Sequence, residues 1–144
     1  MKKGFTLIEL LVVIAIIALL STLSVVALNS ARVKSRDARR LSDIKQIRTA
    51  LEMYADSHDG RYPYHDVDEF PILGLDYLCL DSSGFSASLP CSGTIYMASI
   101  PKDPVSTRKY DYYSDDGVSY TIAYQLEGSP DVPFFSATPA SMGY

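Results

Sequence analysis

The sequence predicts an α+β protein, with one long N-terminal helix whose second half packs on a small antiparallel sheet. Three observations carry that expectation. Residues 5–59 contain neither glycine nor proline, so nothing in the backbone chemistry interrupts a helix there. All eight prolines lie at or beyond Pro63, and seven of the eight glycines at or beyond Gly60, which puts the turns in the second part of the chain. Tyr120, Ile122, Tyr124 and Leu126 alternate with Thr121, Ala123, Gln125 and Glu127, the period of a strand with one apolar face.

Charge divides the 144 residues at about the same place. Residues 1–48 hold nine Lys or Arg against three acids, and the remainder holds four against fourteen, giving the overall charge of -4. An acidic second part repels phosphate and argues against a general nucleic-acid binder. The length suits one modest domain.

The first element begins with Phe5 to Leu28, 24 residues whose only charge is Glu9. As a helix this run extends about 36 Å, against about 30 Å for a bilayer's hydrocarbon core. It reads as a membrane segment or a signal, which excludes an all-soluble globule. Beyond it, Leu41, Ile44, Ile47, Leu51 and Tyr54 recur at steps of three and four, an apolar stripe that needs a partner surface. Arg36, Arg39, Arg40, Asp43, Lys45 and Arg48 fill the other positions. For this basic stretch four readings stand: a solvated helix face, contact with anionic headgroups, pairing with acidic neighbours, or DNA contact.

Glu9 is the oddest residue, since a carboxylate in a hydrocarbon segment costs several kcal/mol unless it has a partner or snorkels to the headgroups. The residues around it, Lys2-Lys3-Gly4-Phe5-Thr6-Leu7-Ile8-Glu9-Leu10-Leu11, resemble the N-terminus of type IV prepilins and type II secretion pseudopilins. The resemblance covers residues 2 to about 30. It implies cleavage by a prepilin peptidase between Gly4 and Phe5, N-methylation of Phe5, and pairing of Glu9 with the N-terminal amine of a neighbouring subunit. That pairing is physically sensible, because each charge supplies what the other lacks among apolar groups. An ordinary secretory signal competes, with Val25-Val26-Ala27 as a small-residue cleavage site, but the apolar run far exceeds a usual h-region. The chain departs from the family in having Val26 where many members carry a proline. Arg32, Lys34, Arg36, Arg39 and Arg40 after the span also outnumber Lys2 and Lys3 before it; a positive-inside count opposes the orientation that the leader implies.

Helix termination is expected at Ser57-His58-Asp59-Gly60-Arg61-Tyr62-Pro63, where glycine permits a C-cap and proline forbids continuation. A loop-rich connection to about residue 94 follows, holding the only cysteines, Cys79 and Cys91. In a segment carried across a membrane this pair reads as a disulfide. Tyr110–Tyr113, an Asp-Gly turn and Val118–Leu126 predict a hairpin, with Thr94–Ser99 as a third strand. His58 and His65, set among Asp56, Asp59, Asp66 and Asp68, read as polar loop residues or, as the weaker alternative, as metal ligands, and Pro130, Pro133 and Pro139 suggest an extended strap or a partly mobile tail.

Ile100-Pro101-Lys102-Asp103-Pro104 before a tyrosine-rich hairpin resembles the loop preceding the sheet in major pseudopilins, which bind calcium nearby. The resemblance makes Asp103, Asp111, Asp115 and Asp116 candidate calcium ligands. The residues themselves read equally as solvated turn acids, since the family's fuller loop is missing and there is no EF-hand spacing. No other cofactor is expected, and no nucleophile elbow, phosphate loop or zinc-protease motif occurs.

The expected organisation is a leader over 1–4, a transmembrane and filament-core helix over 5–28, its amphipathic continuation over 29–56, and an extracytoplasmic head over 57–144. The expected role is non-enzymatic: a subunit of a type IV pilus or type II secretion pseudopilus. Its partners would be copies of itself and related pilins, the prepilin peptidase and methyltransferase, an inner-membrane assembly platform and, before assembly, lipid. It would sit as a single-pass protein of the cytoplasmic membrane, then in a periplasmic or cell-surface filament. The main alternative is a single-pass anchored extracytoplasmic binding or sensor domain that never polymerises; a third reading is an anchored periplasmic enzyme.

Overall fold

The computed structural model describes residues 4–65, 71–129 and the backbone of 135–137. One helix, α1, runs from Leu7 to Asp56. Six short strands follow: β1 (Cys79–Asp81), β2 (Gly84–Ser86), β3 (Ile95–Met97), β4 (Asp111–Tyr113), β5 (Thr121–Tyr124) and β6 (Phe135–Ala137). The fold class is α+β, one long N-terminal helix with small antiparallel sheets. The chain divides into two compact units, residues 1–35 and 36–144.

In the first unit α1 is long and apolar enough to cross a membrane by length and composition, and the qualifying window is wholly unburied. Ser21, Thr22 and Ser24 donate their hydroxyls to the carbonyls of Ile17, Leu19 and Leu20, at 2.8, 2.8 and 2.9 Å. These hydroxyls therefore leave no donor unmet along an otherwise hydrocarbon surface.

In the second unit the helix contributes Ile44, Ile47, Ala50, Leu51, Tyr54 and Ala55 to a core shared with Leu73, Leu80, Ile100, Tyr110, Tyr112, Tyr120 and Ile122. Four of the five expected stripe residues are buried, but Leu41 is 42% exposed. The stripe continues backward through Arg40 instead, at the same four-residue step. Helix α1 ends at Asp56; Asp59 and Gly60 both adopt positive φ, and the Gly60 amide donates to the Ala55 carbonyl at 2.9 Å.

The hairpin forms as alternation predicts. Asp111, Tyr112 and Tyr113 pair with Ala123, Ile122 and Thr121, and Ile122 and Tyr124 are buried while Thr121 and Ala123 are only partly so. The Thr94–Ser99 segment, however, does not join it. Its strand β3 pairs with β1, in a separate sheet of order β2-β1-β3, and the hairpin's third strand is β6. The reason lies in the covalent bridge between Cys79 and Cys91. It holds residue 91 beside the start of β1, so the next extended segment meets β1 first. The stretch expected to be loop contains the β1–β2 hairpin, whose turn is made by Asp81 accepting the Ser83 amide at 2.8 Å. The prolines expected to form a terminal strap lie outside the described residues.

Candidate functional site

Two places on the helix hold charge where charge is expensive. The first is its N-terminus. Gly4, Phe5 and Thr6 precede α1 as exposed, non-helical backbone, and Phe5 is 76% exposed. Among the described residues, a side chain at Gly4 would meet nothing within 4 Å.

Thr6 is the N-cap. Its hydroxyl accepts the Glu9 amide at 3.3 Å, and Glu9 reaches back so that its Oε2 accepts the Thr6 amide at 2.8 Å and the Thr6 hydroxyl at 2.7 Å. This is a capping box, in which two otherwise orphaned backbone donors are satisfied reciprocally. Its signature, Thr-x-x-Glu before an apolar run, was present in the sequence but is absent from a reading that treats Glu9 as unpartnered. Within its own chain Glu9 has a hydrogen-bond partner. It has no cationic one among the described residues.

The second place is Arg40, whose side chain is fully buried. Its Nε and Nη2 donate to the two oxygens of Asp103 at 2.7 and 2.9 Å, a bidentate pair. Its Nη1 donates to Asp37 and to Glu127, both at 2.7 Å. Arg36 closes the clasp on Glu127 through Nε at 2.8 Å and through Nη2. The main-chain amides of Glu127 and Gly128 donate to Asp37 at 2.9 and 2.8 Å. Hydrogen bonds to Asp103 lead in raising the Arg40 pKa against the opposing effect of burial. The Arg36 guanidinium, with Arg40 behind it, holds Glu127 down at about 2. Burial tends to raise Asp37, but the two amides and Arg40 outweigh it and leave its pKa lowered. One turn on, Asp43 is raised chiefly by burial, and accepts the Tyr110 hydroxyl at 3.1 Å.

This clasp was missed by a reading that assigned Arg36 and Arg40 to the polar face. The available signal was their i, i+4 spacing with Ile44, which places them on the buried stripe.

The four carboxylates named as calcium candidates are not brought together. Asp103 is taken up by Arg40, and Lys109 lies 3.1 Å from Asp111. Asp116 accepts the amides of Val118 and Ser119, both at 2.8 Å, and so caps its own turn; Asp115 is exposed in that turn. Among the described residues no cluster of three or more acidic, histidine or cysteine side chains is placed to hold a metal. Cys79 and Cys91 are joined as a disulfide. His58 stacks on Tyr54 with ring centroids 3.8 Å apart, and its Nε2 lies 3.0 Å from the Ser82 carbonyl; His65 Nε2 lies 3.1 Å from the Tyr77 hydroxyl.

Residues 1–25 match the family model described as the prokaryotic N-terminal methylation motif, the prepilin-type signature of type IV pilins and pseudopilins. No curated protein and no solved structure matches the chain. The motif supports a type IV pilin-like or pseudopilin precursor. With the apolar helix it fits a membrane-anchored, single-pass protein, and it implies processing by a prepilin peptidase and assembly with other pilins.

Proposed function

We propose that the protein is a non-enzymatic structural subunit of a helical filament, a type IV pilus or a type II secretion pseudopilus. On this reading it enters the cytoplasmic membrane with its leader inside. It is cut between Gly4 and Phe5, methylated on the new Phe5 amine, and drawn from the bilayer into a polymer of itself and related pilins on an inner-membrane assembly platform. The head ends outside the cytoplasm.

The observation that carries the reading is the methylation motif set on a 24-residue apolar run whose one charge is Glu9. Gly4 fits it as well: no contact among the described residues calls for a glycine there, and the motif's peptidase cuts beside it. The exposed Gly4–Phe5 backbone offers an accessible scissile bond. Packing of Phe5 to Leu28 against equivalent helices replaces lipid contacts with protein contacts of similar apolarity, so a directional interaction must set the register. Glu9, paired with the Phe5 amine of a neighbouring copy, supplies it. Neutralising both charges in an apolar setting favours the aligned arrangement over any slipped one. In this scheme the head is cargo carried by the helix, and calcium has no assigned part.

Two measurements test the reading together. Mass spectrometry of the mature protein should show N-methylated Phe5 as the first residue; an N-terminus at Leu28 would instead indicate ordinary secretion. Glu9→Ala should remain inserted and cleaved while filament formation fails. Normal filaments from that variant would remove the proposed role of Glu9, and an anchored domain that never polymerises would give none from either form.

A further inference from the structure

Three segments that are remote in the chain meet on one guanidinium. Asp37 comes from α1, Asp103 from the loop before β4 and Glu127 from the segment after β5; Arg40 lies 63 and 87 residues from the last two. Four carboxylate oxygens accept its N–H groups, three at 2.7 Å and one at 2.9 Å. The side chains of Arg40 and Asp103 are 0% and 1% exposed, so water does not share the pair. Main-chain amides hold the acids in place: Val105 donates to Asp103 at 2.7 Å, and Glu127 and Gly128 donate to Asp37. Gathering distant acids around one positive charge is work that a bound metal ion performs in many small domains.

Calcium does not fit this arrangement. It takes about six to eight oxygens at roughly 2.3–2.6 Å from a single centre. Here four oxygens face three different nitrogens, with Asp103 on Nε and Nη2 and with Asp37 and Glu127 sharing Nη1. They line the edge of a flat, delocalised cation and do not converge on a point.

We propose that Asp37, Asp103 and Glu127 form a cation site specific for a planar guanidinium, and that Arg40 is its resident cation, which takes Asp103 out of the reach of calcium. The head then closes without an external ion, and its stability is indifferent to calcium. The site also outlasts the side chain: once Arg40 is truncated, a free guanidinium refills it and a spherical ion does not. None of this depends on polymerisation; it holds equally for an anchored head that never assembles.

The full chain in detergent micelles, native and as Arg40→Ala, Arg40→Lys and Ile47→Ala, is melted at constant ionic strength. The additions are calcium, a calcium chelator, or methylguanidinium at about 20 mM, far below the molar range in which guanidinium denatures. Ile47→Ala is a core truncation that leaves the clasp intact. The native Tm should agree within about a degree between calcium and chelator. Methylguanidinium should recover about half of the Tm lost in Arg40→Ala, saturating with a dissociation constant on the order of millimolar, as weak as so small a ligand requires. Calcium should recover none of it, and Ile47→Ala should gain from neither. Arg40→Lys, a point charge without the fork, should stay well below the native Tm.

A native Tm that rises with calcium and falls with chelator would overturn the proposal. So would recovery of Arg40→Ala by calcium in place of methylguanidinium, a folded Arg40→Ala that methylguanidinium leaves unchanged, or an equal gain in Ile47→Ala. A native Tm in Arg40→Lys would overturn it too, since any cation would then serve. Should Arg40→Ala show no transition in any condition, the other chains decide: a calcium-indifferent native head with a depressed Arg40→Lys supports the site, and either opposite result overturns it.

Discussion

Glu9 and Arg40 lie on the same helix, 31 positions apart, and the chain treats them in opposite ways. Arg40 is fully buried and meets three carboxylates from its own chain, Asp37, Asp103 and Glu127. Glu9 stands on an exposed apolar surface, and the described residues offer it two hydrogen bonds but no cation. Arg40 meets its counter-ions within the second unit, whereas among the described residues of the first Glu9 meets none. The difference teaches that the head satisfies its buried charge by folding, and on the proposed reading the apolar helix would satisfy its own by association.

Breaking the closed side should give the largest effect. Arg40→Ala leaves Asp103 buried without its bidentate partner, and removing one member of a buried ion pair costs about 3–5 kcal/mol. Thermal unfolding of the full chain in detergent micelles should show a large loss in Tm, while leader cleavage continues. A Tm within a degree or two of the native value would mean that the clasp does not hold the head together.

The disulfide is a second device internal to the head. Replacing both Cys79 and Cys91 by serine opens a loop of sequence separation 12, which should cost about 3 kcal/mol on the chain-entropy account. Denaturant titration of the same micellar protein, with and without reductant, measures it. The double variant should be insensitive to reductant and match the reduced native chain.

Acid sharpens the comparison further. Glu127 is depressed from 4.5 to about 2 in the folded head. It therefore contributes stability that is fully present above its unfolded value and is lost as pH falls through about 2. Asp37, also lowered, acts in the same sense; Asp43, raised by burial, acts in the opposite one. Glu127→Gln should flatten the fall in head stability between about pH 4.5 and 2 relative to the native chain, as followed by circular dichroism. An unchanged slope would show that Glu127 is not the group being titrated.

The smallest effect belongs to a pair with one exposed member. Arg39 is 64% exposed and lies 3.9 Å from the buried Asp43, and a pair whose cation stays in solvent contributes about 0–1 kcal/mol. Arg39→Ala should shift Tm far less than Arg40→Ala, although the two are adjacent in sequence.

What the sequence made legible followed from periodicity. A fifty-residue helix without a breaker, a stripe at helical spacing and an alternating strand such as Thr121–Tyr124 each repeat often enough to be recognised. Strands β1 and β2 have three residues each, too few to display a period, so their sequence alone predicts loop. Arg40 was hidden for another reason: its position marks it as core, but its charge suggests surface, and only Asp103 and Glu127, 63 and 87 residues away, reconcile the two. The capping box was readable at Thr6 and Glu9. The cost of a carboxylate in hydrocarbon points toward a partner in another molecule, whereas the first partner is the N-cap three residues away.

The central claim is that Glu9 gains its counter-ion from a second copy. A map of the assembled fibre by electron cryomicroscopy, at a resolution that separates side chains, tests it directly. The account predicts the Glu9 carboxylate within hydrogen-bonding distance of the methylated Phe5 amine of the adjacent subunit. A Glu9 side chain facing solvent, with no amine beside it, would contradict it.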